Sequence, residues 1–288
     1  MSVVLAMPLL VRMTNTTFFV PNSIIPQGPH LRYHLLFERS MFPLAGSFQF
    51  NPKIISYELF LNPRSRVVPF QVLSADSIHT LRLSGECRLS KVQNVPSLRH
   101  LTIHGVTGIY FDHANLGECF PEAKLESFIY AQGHRLGFEI RDHHLESLVN
   151  GPGARLTKLV LLGCSKLTSG AILSCLKSLV NLRYCALSLI TVKDFDENFA
   201  LAIPGSMVVF KLQVTHAWYA IPMISQEREI CNVLERDVMQ RKPPLEAMHI
   251  SMHSEVMNEG GRTERWKSIA SEAGLTLHLG PWEDSQET

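Results

Sequence analysis

Leu156-Thr-Lys-Leu159-Val-Leu161-Leu-Gly-Cys164-Ser-Lys-Leu167-Thr168-Ser-Gly-Ala-Ile172 decides how this chain reads. Leu159 and Leu161 stand two apart, so in an extended segment they share one face, with Leu156 as a buried lead-in. Cys164, Leu167 and Thr168 then lead into residues with helical spacing. The stretch is one strand–turn–helix unit.

The same frame recurs along the chain. It appears as Ile78-His-Thr-Leu81-Arg-Leu83, Leu98-Arg-His-Leu101-Thr-Ile103 and Leu125-Glu-Ser-Phe128-Ile-Tyr130. After the unit at Leu156 come Leu182-Arg-Tyr-Cys185-Ala-Leu187, Met207-Val-Val-Phe210-Lys-Leu212 and Leu245-Glu-Ala-Met248-His-Ile250. The starts lie 20, 27, 31, 26, 25 and 38 residues apart, too regular an order for chance matches even in a chain that is 45% apolar. Between the frames, Ile172, Leu173, Leu176, Leu179 and Val180 follow helical spacing, as do Phe195, Phe199, Ala202 and Ile203 before Pro204-Gly205. Ile230, Val233, Leu234 and Val238 give a third apolar stripe, stopped before Pro243-Pro244.

Seven frames at this spacing, one of them carrying a turn cysteine, resemble the cysteine-containing leucine-rich repeats of F-box/leucine-rich-repeat proteins, an RNI-like family. The resemblance covers about residues 76–280. It implies an α/β fold: a right-handed leucine-rich-repeat solenoid with parallel strands on the concave side and helices on the convex side. It also implies that Cys164 points inward from the turn leaving its strand. Glu86, Val106, Gly133, Ile190, Thr215 and His253 occupy the corresponding positions, so the repeats are expected to be irregular. Residues 1–75 hold no match to an F-box, and the first tryptophan is Trp218. Those residues are read as degenerate repeats or an N-terminal cap, with Leu59 and Leu61 as candidate inward side chains, and 76–288 as the solenoid.

Composition narrows the class. A net charge of +1 and 18% charged residues give no general electrostatic reason to bind nucleic acid. No apolar run reaches the roughly 20 residues of a membrane span. Val3 to Val11 is apolar but interrupted by Pro8, with no basic residue ahead of it, so it does not read as a signal peptide. Asn15-Thr16-Thr17 would be a glycosylation acceptor only in a secreted chain. The expected location is the cytoplasm, with the nucleus open. Cys87, Cys119, Cys164, Cys175, Cys185 and Cys231 show no CxxC pair, and no disulfide is expected.

Three constellations have catalytic or ligating residue types. Asp142-His143-His144 with Glu146 reads as the polar start of a helix burying Leu145, Leu148 and Val149. His249 and His253 are four apart but begin on a strand, where that spacing does not bring side chains together as it does on a helix. Gly151-Pro-Gly153 reads as a turn. The chain is therefore expected to be no enzyme and to need no cofactor or metal.

On each strand the residues between and after the leucines face the other way. In the middle repeats these are Ile129, Lys158, Val160, Leu162, Tyr184 and Ala186, with Lys211 next to them and Arg82, His100 and His104 further along. An apolar centre with a basic, polar rim suits a protein partner. Ile129, Lys158, Val160, Leu162, Tyr184 and Lys211 are the candidate binding residues. The reading is a non-catalytic protein–protein interaction scaffold. The alternative, implied by the resemblance alone, is a substrate-recognition subunit of a cullin-type ubiquitin ligase, which would also contact the ligase adaptor.

Overall fold

The computed structural model describes residues 9–13, 16–20, 55–60, 66–67, 69–70, 75–87, 89, 93–108, 111, 115–133, 137–191, 195–217 and 221–282. The chain divides into two compact units, Met1–Leu125 with Gln132–Phe138, and Glu126–Ala131 with Glu139–Thr288. Both are α/β in character, and each is organised around a sheet.

In the first unit, β1 (Leu9–Met13) pairs antiparallel with β2 (Thr16–Val20) and with β3 (Ser56–Phe60). From β3 onward the pairing is parallel: β3 with β5 (Thr80–Cys87), and β5 with β6 (His100–Val106). A two-residue strand, β4 (Arg66–Val67), also pairs with β5, and a single helical turn, α1, spans Leu116–Cys119. The register sets Tyr57 against Leu81 and Glu58 against Arg82, so β3 continues the repeat frame. Tyr57 and Leu59 on its inward face are both buried, as expected for Leu59. Leu61 lies outside the described residues.

The second unit is built on six parallel strands in chain order: β7 (Ser127–Ala131), β8 (Lys158–Cys164), β9 (Tyr184–Thr191), β10 (Val209–His216), β11 (Ala247–Ser251) and β12 (Thr276–Leu279). Helices alternate with them: α2 (Asp142–Val149), α3 (Ser169–Ser178), α4 (Ile224–Val233), α5 (Ser254–Asn258) and α6 (Arg262–Ala273). Each strand is joined to the one before by a repeated backbone bond at its start. Thr157 donates to Glu126 O, Arg183 to Thr157 O, Val208 to Arg183 O, Glu246 to Val208 O and Thr276 to Glu246 O. The acceptor is the second residue of each frame, and so is the donor except in β12, where Thr276 stands third.

All seven frames read from the sequence are strands in which the leading, fourth and sixth residues are buried. Burial pushes the Cys185 thiol of β9 well above its ordinary value, with Cys175 of α3 adding a smaller upward push. Cys164 is buried as expected. Gly163 (φ 71°) makes this possible: a bulge after Leu162 turns the strand so that Cys164, not Gly163, pairs with Leu189. Gly105 (φ 60°) occupies the equivalent place in β6.

The helical readings hold unevenly. Ile172, Cys175 and Leu176 are buried on α3, but Val180 falls beyond its end and is exposed. The segment from Phe195 to Ile203 is only a single 3₁₀ turn, Phe199–Ala202, starting after Asn198 and ending ahead of Pro204-Gly205. Ile230, Val233, Leu234 and Val238 are all buried, and the last two lie on a π-turn, Leu234–Val238, that extends α4.

Polar side chains in the first turn of one helix hold the loop of the next unit. Asp142 accepts from the backbone N–H of Thr168 (2.9 Å) and from its hydroxyl (2.9 Å). Ser169 Oγ accepts from the N–H of Glu197 (2.9 Å). Glu227, fully buried, accepts from the N–H of His253 (2.9 Å) while its other oxygen lies 2.7 Å from His216 Nε2. Each contact satisfies a donor that a buried loop would otherwise leave unpaired.

All six cysteines are free and buried. Burial pushes the Cys87, Cys175 and Cys231 thiols up to about 12, with smaller effects from neighbouring groups. Since the thiolate is the reactive form, native protein is expected to react negligibly with a disulfide reagent at neutral pH. Unfolded, non-reduced protein should release all six thiols. Rapid modification of the native chain, or fewer than six thiols after unfolding, contradicts this arrangement.

Candidate functional site

The register of the second unit places three rows on the face opposite the leucines. The first row is Ser127, Lys158, Tyr184, Val209, Ala247 and Thr276; the second is Ile129, Val160, Ala186, Lys211, His249 and His278. The third, Ala131, Leu162, Ser188, Gln213 and Ser251, completes the face. Strand pairing therefore brings the six candidate residues, Ile129, Lys158, Val160, Leu162, Tyr184 and Lys211, onto four adjacent strands, as the frame implies.

Their exposure differs from the simple outward expectation. Val160 and Ala186 are 0% exposed, Leu162 1% and Ala131 5%, and they form an apolar cluster with Ile129 and Tyr184 packed against it. Alternation gave these residues the correct face but not their burial. A period of two assigns a residue to a face and carries no information about its exposure there. Val160 is therefore not a position that tolerates a charge, and Leu162 is not an exposed anchor. The accessible candidates are Ile129, Lys158, Tyr184 and Lys211, each half-buried.

Tyr184 is the centre of this accessible part. Lys158 Nζ stands 5.0 Å from its ring centroid and Lys211 Nζ 5.9 Å, both within cation–π range. Both contacts favour the placement of the ring between the two ammonium groups.

A feature not drawn from the sequence lies beside it. After β12 the chain runs back across the same face. His249 Nε2 donates to Gly280 O (2.8 Å), and the N–H of Trp282 donates to Gln213 Oε1 (3.0 Å). The Trp282 ring is 5.0 Å from that of His249 and only 7% exposed. Pro281-Trp282, a chain-stiffening residue and a large aromatic just after a strand, was the available signal.

The three other constellations are occupied locally. His144 is buried, and its Nδ1 accepts from the N–H of Arg141 at the start of α2, while Asp142 holds Thr168. His249 faces Gly280 and Trp282, whereas His253 Nδ1 accepts from the N–H of Glu255 at the start of α5. Gly153 donates to Leu148 O in the turn after α2. A cleft of about 390 Å³ lies between α2 and α3, lined by Asp142, Glu146, Thr168, Ser174 and Cys175. In the first unit, Arg82 is buried beside Glu58, burial lowering its pKa. The His104 pKa is lowered by burial and by the Arg82 charge, while His100 is exposed. Among the described residues no helix is long and apolar enough to cross a membrane. The chain matches no protein-family model and no curated protein sequence.

Proposed function

We propose that this chain is a non-catalytic scaffold of leucine-rich-repeat type that holds a protein partner on the sheet face opposite the leucines, the concave face of a right-handed solenoid. The observation that carries the reading is Tyr184, half-buried between the ammonium groups of Lys158 and Lys211 at the border of a dry apolar cluster. A fixed aromatic with a cationic rim, presented by the strands themselves, costs little side-chain entropy to dock against. Irregular repeats suit this role, since stacking fixes the platform while the outward residues vary.

A partner recovered by pull-down with the full chain gives the test. Replacing Tyr184 and Lys158 together by alanine should weaken that partner by about 2 kcal/mol, roughly thirtyfold, with the melting curve little changed. Lys177→Glu, on the exposed side of α3, should leave binding unaffected. Loss from Lys177→Glu without loss from the double variant would move the interface to the helices.

A further inference from the structure

We propose that residues 280–282 form a hinged strap, which seats on Gln213 and His249 of the second unit and lifts from them while the strands beneath stay paired. Its three residues have separate roles. Gly280 is the hinge: its N–H makes the last bond to β11, to Ile250 O (3.0 Å). Its φ of +120° is a conformation that residues with a side chain rarely adopt, and it turns the chain off the strand. Pro281 has no N–H and so cannot extend the ladder along β11. Trp282 is the latch, its N–H donating to Gln213 Oε1 (3.0 Å) and its ring lying 5.0 Å from that of His249.

Two side chains of the sheet, His249 on the Gly280 carbonyl and Gln213 on the Trp282 N–H, fasten the strap, so it can let go without breaking the strand ladder. The fastening is also incomplete. The Trp282 indole is 7% exposed, yet its Nε1–H finds no hydrogen-bond acceptor among the described residues. Burying that donor opposes the gain from covering the ring, and lifting returns it to water. Ring burial and two side-chain bonds, set against a desolvated donor and three ordered residues, favour the seated state by a narrow margin. That is the condition for a local opening that leaves the rest of the fold intact. His249 pairs in register with Lys211, so lifting withdraws the strap from the positions next to the Tyr184 site.

Amide hydrogen exchange of the full chain, followed residue by residue by NMR at increasing sub-denaturing urea, provides the test. The reference is the Thr276 N–H, which donates to Glu246 O (3.0 Å) at the start of β12. The Trp282 N–H should exchange about a hundredfold faster than this reference, at a rate nearly independent of urea, because lifting exposes little surface. Gly280→Ala puts a side chain on a φ that disfavours it, at a place where its Cβ meets no atom within 4 Å. Gln213→Ala removes the acceptor, and it keeps the test open if the change at Gly280 disturbs β12. Each variant should speed Trp282 exchange by about tenfold and leave Thr276 exchange and the melting temperature little changed. Trp282 exchange at the Thr276 rate, with the same urea dependence, would mean that the segment opens only with the fold. Exchange at the rate of an unstructured peptide would mean that it is never latched. Either result overturns the proposal, as does unchanged Trp282 exchange in both variants.

Discussion

Leu159→Asp is expected to yield no cooperatively folded protein. Leu159 lies on β8 between Phe128 of β7 and Cys185 of β9, with all three buried on the helix-packed face. A carboxylate there has no partner, and burying an unpaired charge costs an amount comparable to the whole stability of a domain, about 5–15 kcal/mol. The variant should be insoluble or melt without a transition. His278→Asp is the control: the side chain is exposed on the opposite face of β12, and the change should alter stability by about 0.5 kcal/mol or less. Val160→Asp separates the frame from the burial pattern. Alternation alone expects it to be tolerated, whereas the dry cluster around Val160 makes it nearly as damaging as Leu159→Asp. Similar melting of Leu159→Asp and His278→Asp would mean that the strand register is wrong.

Trp266→Ala should be the most damaging change on the helices. Trp266 on α6 is fully buried, and its Nε1–H donates to Glu235 Oε2 (2.7 Å), which also faces Arg265 (3.1 Å) and Arg262 (3.7 Å). Loss of the ring leaves a cavity and removes one donor from a partly buried carboxylate, for a cost of about 3–5 kcal/mol. Trp266→Phe keeps most of the volume and should cost distinctly less. The same cluster has a pH signature. Burial alone would raise the Glu235 carboxyl, but hydrogen bonds from Arg265 and Trp266 and the charges of Arg265 and Arg262 bring it below 4.5. A carboxylate with a depressed folded pKa contributes stability above its unfolded value and loses it as pH falls through the folded one. Melting temperature should therefore drop on acidification below about 4.5, and Glu235→Gln should flatten that drop. An unchanged acid limb in Glu235→Gln would show that the cluster does not couple to folding.

The repeat frame was legible because three of its positions are apolar whatever the partner, and parallel pairing keeps them in one register. β12 escaped because its leading position is Gly274, the left-handed residue that ends α6, so Leu277 and Leu279 stand without the third member of the pattern. The helix expected from Phe195 is one turn because spacing predicts a face, not a length. On the candidate site, the sequence located Lys158, Tyr184 and Lys211 on one surface, since alternation along paired strands is purely local. It did not show that Val160 and Leu162 are dry, nor that residues 280–282 cross the same face. The dry cluster joins residues of three strands, and the contact of Trp282 with Gln213 spans 69 positions.

The central claim, that the partner sits on the face bearing Tyr184, is tested most directly by placing a photo-cross-linking phenylalanine analogue at Tyr184 or at Lys177 and irradiating the complex with the captured partner. Covalent capture from position 184, with little or none from position 177, is the result this account predicts. Capture from position 177 alone would contradict it.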